Sequence, residues 1–407
     1  MSVIKRCFLC CVVFAILGFT SAKADVITDW NEAAVAAGYR AKLTLVPQTR
    51  NIAMMHVAMF EAVNAITPRY KPYKLSLQPP TDTSSEVAAA TAARAILAHV
   101  YADQANIFSA RYEDFISTVR DSAAKQNGIA FGNLVAAEMI KLRANDNIDA
   151  VEEYQPVTKA GVYVPTVIPV GSTCSTVTPW ALKSVSQFRP AAPYKLSSEQ
   201  YARDLNEVQV MGAKVSAKRS DEQTAIAKFW DFTGPGTYSP IARKWAAEAK
   251  LDLLDSARLF ALFAMATADA YLAVFDAKYE YNFWRPVTAI RNGNDDGNRA
   301  TEADRSWLPL IDTPMHPEYP CAHCIASSAA ANVLMRIFKS SKLVEFELAS
   351  PFAPNVTRKF SDLNVYVSEI MDARVFGGVH FQQSTFVGRK MGEQVAEFVV
   401  TNYLLLR

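Results

Sequence analysis

One long apolar segment constrains the fold of this chain more than any other stretch. Residues 255–281, DSARLFALFAMATADAYLAVFDAKYEY, place apolar side chains on nearly every side of a predicted helix. Such a helix must be surrounded by other parts of the protein or by lipid. Arg258 and Asp269 interrupt the segment, and charged side chains inside a membrane are costly. We therefore predict a central, buried helix rather than a transmembrane one.

The remaining periodic segments are helical as well, with apolar residues at intervals of three and four. Further helices are predicted at about 51–66, 85–102, 131–146, 197–212, 220–230, 240–250, 321–339, 361–375 and 382–404. Alternating strand patterns are scarce, and no repeat or clean linker divides the chain. The sequence predicts a single all-α domain over residues 25–407, built as a helical bundle or paired bundles. A long loop, residues 155–198, is of the kind that packs over or lines a site.

The N-terminus has the pattern of a secretory signal peptide. Lys5 and Arg6 precede an apolar run over 7–19, and small residues lead up to Ala24. This pattern predicts cleavage after Ala24 and a secreted or periplasmic protein. The apolar run is short for a membrane span, so we predict no membrane span in the mature chain, residues 25–407.

The charge of the mature chain is close to neutral. The full chain has 42 Lys and Arg and 40 Asp and Glu, and residues 1–24 contain three of the basic and none of the acidic ones, which leaves 39 and 40. No basic surface for nucleic acid is indicated. Three cysteines remain, Cys174, Cys321 and Cys324. An odd number in an oxidising compartment predicts one disulfide and one free thiol, with the pairing left open.

Residues 316–324, HPEYPCAHC, bring together two histidines and two cysteines. A zinc site is weakly supported because only Cys174 is available as a further cysteine ligand. The Cys-x-x-Cys spacing occurs in redox proteins, but the βαβ context is lacking. A structural disulfide is a third alternative. Pro320 suits the start of a helix, which would leave the N–H groups of the next three residues unpaired where anions bind.

Two other segments carry cations. In KYEYNFWRP, Lys278 and Arg285 are seven residues apart, two helical turns, and are predicted to face the same side. They would be costly at the end of an apolar helix unless a negative group lies between them. The alternative is pairing with a nearby carboxylate, Asp276 or Glu280.

The third segment, ARVFGGVHF, places Arg374 and His380 on either side of a Gly-Gly break. The glycines permit a tight reversal that brings the two side chains toward one point. A lone histidine in such a loop is more often a surface residue. Together with Lys278 and Arg285, however, Arg374 supplies a third cationic donor for a tetrahedral oxyanion. With His323 and His380 on opposite sides, this set has the equipment for chemistry on phosphate or vanadate.

These segments resemble the motifs of vanadium-dependent haloperoxidases and related acid phosphatases, including type 2 phosphatidic acid phosphatases. The family pattern is K-x6-R-P, then P-S-G-H, then R-x5-H. The corresponding residues are Lys278, Arg285, Pro286, Pro320, Cys321, Ala322, His323, Arg374 and His380. The resemblance to bacterial haloperoxidase-like proteins extends to NIAMMHVAMFEAVNAI, SDEQTAIAKFW, KYEYNFWRPVTAIR and TPMHPEYP, and so covers most of the mature chain. It implies the helical-bundle fold of that family.

The resemblance also implies residue roles. His380 would bind vanadium, or attack phosphorus in a phosphatase, and His323 would be the acid–base group. The three cations and the backbone N–H of Ala322 would hold the oxyanion. A peroxidase would use vanadate, hydrogen peroxide and a halide, with Lys278 polarising the peroxide, whereas a phosphatase would need a phosphomonoester and no vanadate.

Three positions bear on the choice between these activities. Cys321 replaces a serine that donates to the oxyanion; a thiol is a weaker donor, and a disulfide would offer none. Ser384 stands where phosphatases often carry an aspartate that orients the nucleophile. His316 resembles a bromoperoxidase histidine and favours bromide or iodide, with capping of the turn as the alternative. We therefore predict a secreted vanadate-dependent haloperoxidase, with a soluble acid phosphatase and a catalytically silent oxyanion-binding protein as rivals.

Overall fold

The structure, a computed structural model, describes residues 25–407, so the predicted signal peptide over 1–24 lies outside the described residues. Helix accounts for 58% of the structure, which confirms the all-α prediction. The helices are α1 (Val26–Arg40), α2 (Leu45–Ile66), α3 (Ser85–Val100), α4 (Ala105–Ser117), α5 (Ala123–Arg143), α6 (Glu199–Met211), α7 (Asp221–Phe229), α8 (Pro235–Glu248), α9 (Leu253–Tyr281), α10 (Pro286–Arg291), α11 (Ala322–Phe338), α12 (Leu363–Phe376) and α13 (Gln382–Asn402). Two antiparallel strands, β1 (Phe346–Ser350) and β2 (Ala353–Phe360), form a small hairpin between α11 and α12.

Helix α9 lies at the centre of the fold, packed against α2, α11 and α13. Among residues 25–407 it is the one helix long and apolar enough to cross a membrane, and that apolar window is 100% buried inside the protein. The predicted central buried helix is therefore confirmed. Its internal charge is also accommodated: the carboxylate of Asp269 accepts hydrogen bonds of 2.7–2.8 Å from the N–H groups of Trp180, Ala181 and Leu182.

Polar residues define where several helices begin. The Ser84, Ser122 and Ser198 side chains each accept an N–H from the first turn of the helix that follows. Ser220 and Gln223 form a capping box at the start of α7. Each such cap satisfies a donor that the helix itself leaves unpaired and contributes about 1 kcal/mol.

The close approach of α11 and α13 fixes the later half of the fold. Gly388 and Gly392 of α13 lie against the carbonyl groups of Cys321 and Ile325, and a Cβ at Gly388 would come within 2.6 Å of the Cys321 oxygen. Only glycine permits this separation of backbones. The two helices that follow HPEYPC and GGVHF are thereby held side by side.

The long loop packs over the C-terminal end of α9. Tyr163 N–H donates to Asn282 O at 2.8 Å. Arg189 in the same loop forms salt bridges of 2.9 Å with Asp276 and with Glu280. These two carboxylates are thus engaged by the loop, so the alternative in which they pair with Lys278 and Arg285 is wrong.

Candidate oxyanion site

The end of α9 separates two of the predicted site residues. Asn282 adopts the left-handed conformation, with φ 46°, and ends the helix after Tyr281. Arg285 is then the N-cap of α10, which begins at Pro286. The prediction that Lys278 and Arg285 face the same side of one helix is therefore wrong, because the chain turns between them.

Both cations nevertheless reach the same segment. Lys278 Nζ donates to the carbonyl oxygens of Pro317 at 2.8 Å and Glu318 at 2.9 Å. Arg285 Nε donates to His316 O at 2.8 Å, and its Nη2 lies 2.9 Å from His316 Nδ1. Arg285 is 1% exposed and Lys278 is fully buried, so the segment between His316 and Glu318 holds two buried cations.

Arg374, in the last turn of α12, is the third buried cation. Its Nη1 donates to Trp230 O at 3.0 Å and to Asp231 O at 3.4 Å. Its Nε and Nη2 are buried and have no hydrogen-bond acceptor. We refer to Lys278, Arg285 and Arg374 as the cationic cluster.

His380 follows the Gly-Gly reversal, in which Gly378 adopts the left-handed conformation, with φ 78°. Its Nε2 lies 3.2 Å from Arg285 Nη1, and its Nδ1 lies 2.8 Å from Glu318 Oε1. A guanidinium can only donate, so Nε2 carries the lone pair and Nδ1 donates its proton to the carboxylate. The lone pair of His380 Nε2 therefore faces the cationic cluster.

Two further histidines lie on the more open side of the site. His323 Nε2 is 3.2 Å from Asp231 O, and a carbonyl only accepts, so the proton is on Nε2 and the lone pair on Nδ1. His316 Nδ1 lies 2.9 Å from the donor Arg285 Nη2 and 3.1 Å from the acceptor Pro317 O, so its two neighbours favour opposite tautomers. Both rings are half-buried, whereas His380 is fully buried.

The first turn of α11 differs from the predicted one. The helix begins at Ala322 with Cys321 as its N-cap, and Pro320 precedes both. Cys321 forms a disulfide with Cys324, and its N–H donates to Ser384 O at 3.1 Å. The predicted donation from Cys321 to the oxyanion is therefore absent in this form, because neither a thiol hydrogen nor the backbone N–H is free. The N–H of Ala322 stays in the first turn, where a helix supplies no acceptor.

The carboxylates beside the cationic cluster are fewer than its three positive charges. Glu318 is the fully buried carboxylate beside it, and counting the half-buried Asp231 as well still leaves three cations against two carboxylates. Burial lowers the pKa of Arg374 to about 9 and that of Arg285 to about 10. It also lowers the pKa of Lys278 well below its ordinary value, with Arg285 adding to the effect.

The same environment acts on the neighbouring acids and bases. Burial and the cations together lower the pKa values of the three histidines well below 6.5, and these histidines are His316, His323 and His380. Burial raises the pKa of Glu318 to about 7, while Arg285 and Lys278 oppose that rise. Burial thus penalises charges of both signs here, and the repulsion of Lys278 by Arg285 and Arg374 is the part that a bound anion would offset.

Two contributors were absent from the sequence prediction. Glu318 contacts His380 directly, and the available signal was an acidic residue between the two prolines of HPEYP. Asp231 contributes its backbone carbonyl to His323 and Arg374. A carbonyl leaves no side-chain pattern, so sequence reasoning had no means to find it.

Comparisons with known proteins identify the class of this fold. Residues 258–405 match the family model described as the vanadium chloroperoxidase second helical-bundle domain. A vanadium chloroperoxidase from Curvularia inaequalis is 32% identical over 149 residues, which cover 30% of this chain and 24% of that protein. The match thus spans about a quarter of that relative's length.

Solved structures extend the likeness over nearly the whole chain. The crystal structure described as the first bacterial vanadium-dependent iodoperoxidase aligns with a TM-score of 0.81 and 23% identity, over 93% of this chain and 97% of that one. A holo-type bacterial vanadium-dependent chloroperoxidase aligns with a TM-score of 0.67 and 18% identity, over 88% and 92%. The fold is therefore that of the vanadium haloperoxidases. Together with the family model over residues 258–405, this fold confirms the predicted resemblance of the chain to that family.

Proposed function

We propose that the protein is a vanadate-dependent haloperoxidase that oxidises a halide with hydrogen peroxide, with bromide or iodide as the preferred halide. The observation that carries this proposal is Arg374, whose buried Nε and Nη2 have no acceptor within a cluster of excess positive charge. Buried donors without acceptors and uncompensated buried charges are costly. A small anion with several oxygens would supply both the acceptors and the negative charge.

The residues fit vanadate in particular. The cationic cluster and the N–H of Ala322 would hold its oxygens, and His380 Nε2 offers a lone pair as the nitrogen ligand. The carboxylate of Glu318 accepts the other ring N–H, at 2.8 Å, as is usual for metal-binding histidines. When bound, vanadate would supply a Lewis acid that activates hydrogen peroxide.

His323 would accept a proton in this reaction, and Lys278 would supply positive charge. His323 is neutral at neutral pH because burial, followed by Arg374, holds its pKa well below 6.5. Its Nδ1 lone pair can accept a proton from hydrogen peroxide as the peroxide binds. Lys278, held by two carbonyl groups, would polarise the peroxide by its charge.

His316 is proposed to face the halide. Its half-buried ring lies against Arg285 and edge-on to Phe275, with ring centroids 5.2 Å apart. An imidazole can donate a ring N–H to an anion beside an apolar ring. This combination suits a large, weakly hydrated halide and supports bromide or iodide over chloride.

Phosphomonoester hydrolysis is the second candidate, and Glu318 specifically favours it. A histidine nucleophile needs a lone pair at one nitrogen and a fixed N–H at the other. Ser384 lacks the carboxylate that phosphatases often place four residues after this histidine, but Glu318 supplies one from another segment. His380 Nε2 would then attack phosphorus, and His323, having taken up a proton at Nδ1 when the bound anion raises its pKa, would protonate the leaving alcohol.

A side-by-side assay separates these activities. Bromide and iodide oxidation would be measured with vanadate and hydrogen peroxide, and p-nitrophenyl phosphate hydrolysis without vanadate. His380→Ala is compared with the wild type, and His99→Ala, at an exposed histidine of α3, serves as the matched control. We expect halide oxidation that is lost in His380→Ala and kept in His99→Ala. Phosphate release alone would favour the phosphatase, and activity in neither assay would favour a silent oxyanion-binding protein.

We also propose that the mature protein starts at Asp25 and is secreted or periplasmic. The support is the N-terminal sequence pattern, together with Asp25 itself, whose side chain caps α1 by accepting from Ile27 and Thr28. N-terminal sequencing of protein from the cell-free or periplasmic fraction tests this proposal. A mature chain that retains Lys5 and Arg6 would contradict it.

A further inference from the structure

We propose that Glu318 is the positioning residue of His380: its carboxylate fixes the imidazole so that the Nε2 lone pair points at the bound anion. This inference rests on the proposed function. Glu318 Oε1 accepts from His380 Nδ1 at 2.8 Å and from the Phe381 N–H at 3.0 Å. One oxygen thus holds both the ring of His380 and the residue that caps α13.

The backbone of Glu318 is anchored on both sides. The Glu318 N–H donates to Phe283 O at 2.9 Å, and the Glu318 carbonyl accepts from Lys278 Nζ at 2.9 Å. Its side chain is fully buried. Glu318 therefore links the turn between α9 and α10 to the turn between α12 and α13. Its backbone is held by the first turn, and its side chain holds the imidazole of His380 in the second.

The hydrogen bonds of the cluster show that this carboxylate serves the imidazole rather than the cations. Lys278 Nζ donates to backbone carbonyl oxygens, and the Arg285 donors go to carbonyl oxygens and to imidazole nitrogens. By contrast, Glu318 Oε1 receives its direct hydrogen bonds from His380 and Phe381. A carboxylate placed only to neutralise cations would be expected to receive the cations' own N–H groups.

The contact has a defined consequence for the ring. With Nδ1–H held by a carboxylate, the proton cannot move to Nε2, where it would oppose the N–H of Arg285 at 3.2 Å. The carboxylate also increases the basicity of the free nitrogen. Ser384 Oγ lies 3.4 Å from Nδ1, a distance at which a hydrogen bond is weak. Glu318 is therefore the group that sets the orientation.

Positioning and charge have opposite effects on anion binding, so they can be separated. Removing the negative charge of Glu318 leaves the cationic cluster more attractive to every anion. Removing its hydrogen bond weakens only a ligand that bonds to His380 Nε2. Vanadate takes a nitrogen ligand, whereas inorganic phosphate binds without one, so the ratio of their dissociation constants reports on positioning.

The test measures binding of orthovanadate and of inorganic phosphate by calorimetry to the wild type, Glu318→Gln and Glu318→Met. We expect Glu318→Met to raise the vanadate Kd by about 10–100-fold, a typical loss for such outer contacts, with phosphate unchanged or tighter. Glu318→Gln keeps an acceptor oxygen and should recover part of the loss. Ser384→Ala, the matched control, should change neither constant more than about 2-fold, as expected for a weak contact.

Two further measurements keep the inference falsifiable. In a His380→Ala background, in which the cationic cluster alone holds vanadate, Glu318→Met should no longer weaken vanadate binding; an undiminished loss overturns the proposal. If Glu318→Met does not fold, 15N NMR of the anion-free wild type can test the proposal through the tautomer of His380. We predict that Nδ1 carries the proton, and a proton on Nε2 would refute the proposal. Equal loss of vanadate and phosphate in the variants also refutes positioning. A wild type that binds neither anion refutes the proposed function instead.

Discussion

Replacing Arg374 by methionine should stabilise the anion-free protein while it abolishes anion binding. Arg374 is fully buried, Nη1 donates to two carbonyl groups, and Nε and Nη2 have no acceptor. Methionine has an unbranched chain that fills similar space without charge. The side chain would thus lose an uncompensated cation at the point where the proposed anion binds.

The magnitude follows from the pKa of Arg374, which burial lowers from 12.5 to about 9. At about 1.36 kcal/mol per pKa unit, the charged side chain costs roughly 4–5 kcal/mol in the folded state. Because the folded pKa is the lower one, this cost is fully present at pH 7 and is relieved only as the pH rises from about 9 to 12.5. Methionine leaves the carbonyl groups of Trp230 and Asp231 without this donor, at about 1–3 kcal/mol. The expected net gain is about 1–4 kcal/mol.

The assay is urea unfolding at pH 7 with and without inorganic phosphate. Phosphate at 100 times its Kd should raise the free energy of unfolding of the wild type by about 2.7 kcal/mol, and should leave Arg374→Met unchanged. Arg143→Met is the matched control: this buried arginine donates to Asp146 and to the carbonyl groups of Thr178 and Pro179. Arg50 still pairs with Asp146 at 2.7 Å, so the loss of Arg143 should destabilise by about 1–3 kcal/mol, mainly because two carbonyl groups lose their donor. The reasoning fails if Arg374→Met is destabilised like Arg143→Met, or still responds to phosphate.

Four further predictions concern single groups of the site. His380→Ala should weaken orthovanadate binding, measured by calorimetry, to about the affinity of inorganic phosphate; an unchanged Kd would remove His380 from its proposed role. His316→Phe should lower kcat/KM for iodide and bromide relative to chloride by about 10-fold, a change of about 1.4 kcal/mol, and an unchanged ratio would assign His316 to the turn alone. Reducing the Cys321–Cys324 disulfide restores a thiol donor beside the oxyanion. Halide oxidation should therefore rise after treatment with a thiol reductant in the wild type but not in Cys321→Ala. Equal rates with and without reductant would count against redox dependence. Sulfate binding should take up a proton, because a bound anion raises the pKa of Glu318, which burial already raises to about 7, and that of His323, which burial and Arg374 lower. Affinity should therefore rise as pH falls from 8 to 6, less steeply in Glu318→Gln, and a flat profile in the wild type would contradict this assignment.

Sequence reasoning predicted the helical class and the segments that meet at the site. The period of three and four residues identified α9, α11 and α13 because each buries an apolar face, a signal intrinsic to the segment. It did not identify α1 and α4, nor the β1–β2 hairpin, whose Phe346 and Phe360 rings stack at 5.6 Å. The hairpin strands are short, and their pairing is a contact between segments that no local pattern reveals.

Within the site, residue types were easier to predict than geometry. The sequence indicated which cations and histidines converge, but the left-handed Asn282 that turns the chain before Arg285 was read as helix. Asparagine can adopt the left-handed conformation, but its presence in a sequence does not predict it. Glu318 was visible inside HPEYP, yet its hydrogen bond to His380 depends on two turns meeting in space. The Cys321–Cys324 pairing was one of several open alternatives, and the first turn of α11 decides it.

A crystal structure of the protein soaked with orthovanadate would test the central claim most directly. We predict one tetrahedral or trigonal-bipyramidal oxyanion bonded to His380 Nε2, with its oxygens contacting Lys278, Arg285 and the Nε and Nη2 groups of Arg374. An anion bound elsewhere, or none at a saturating vanadate concentration with Arg374 still buried and without an acceptor, would contradict it.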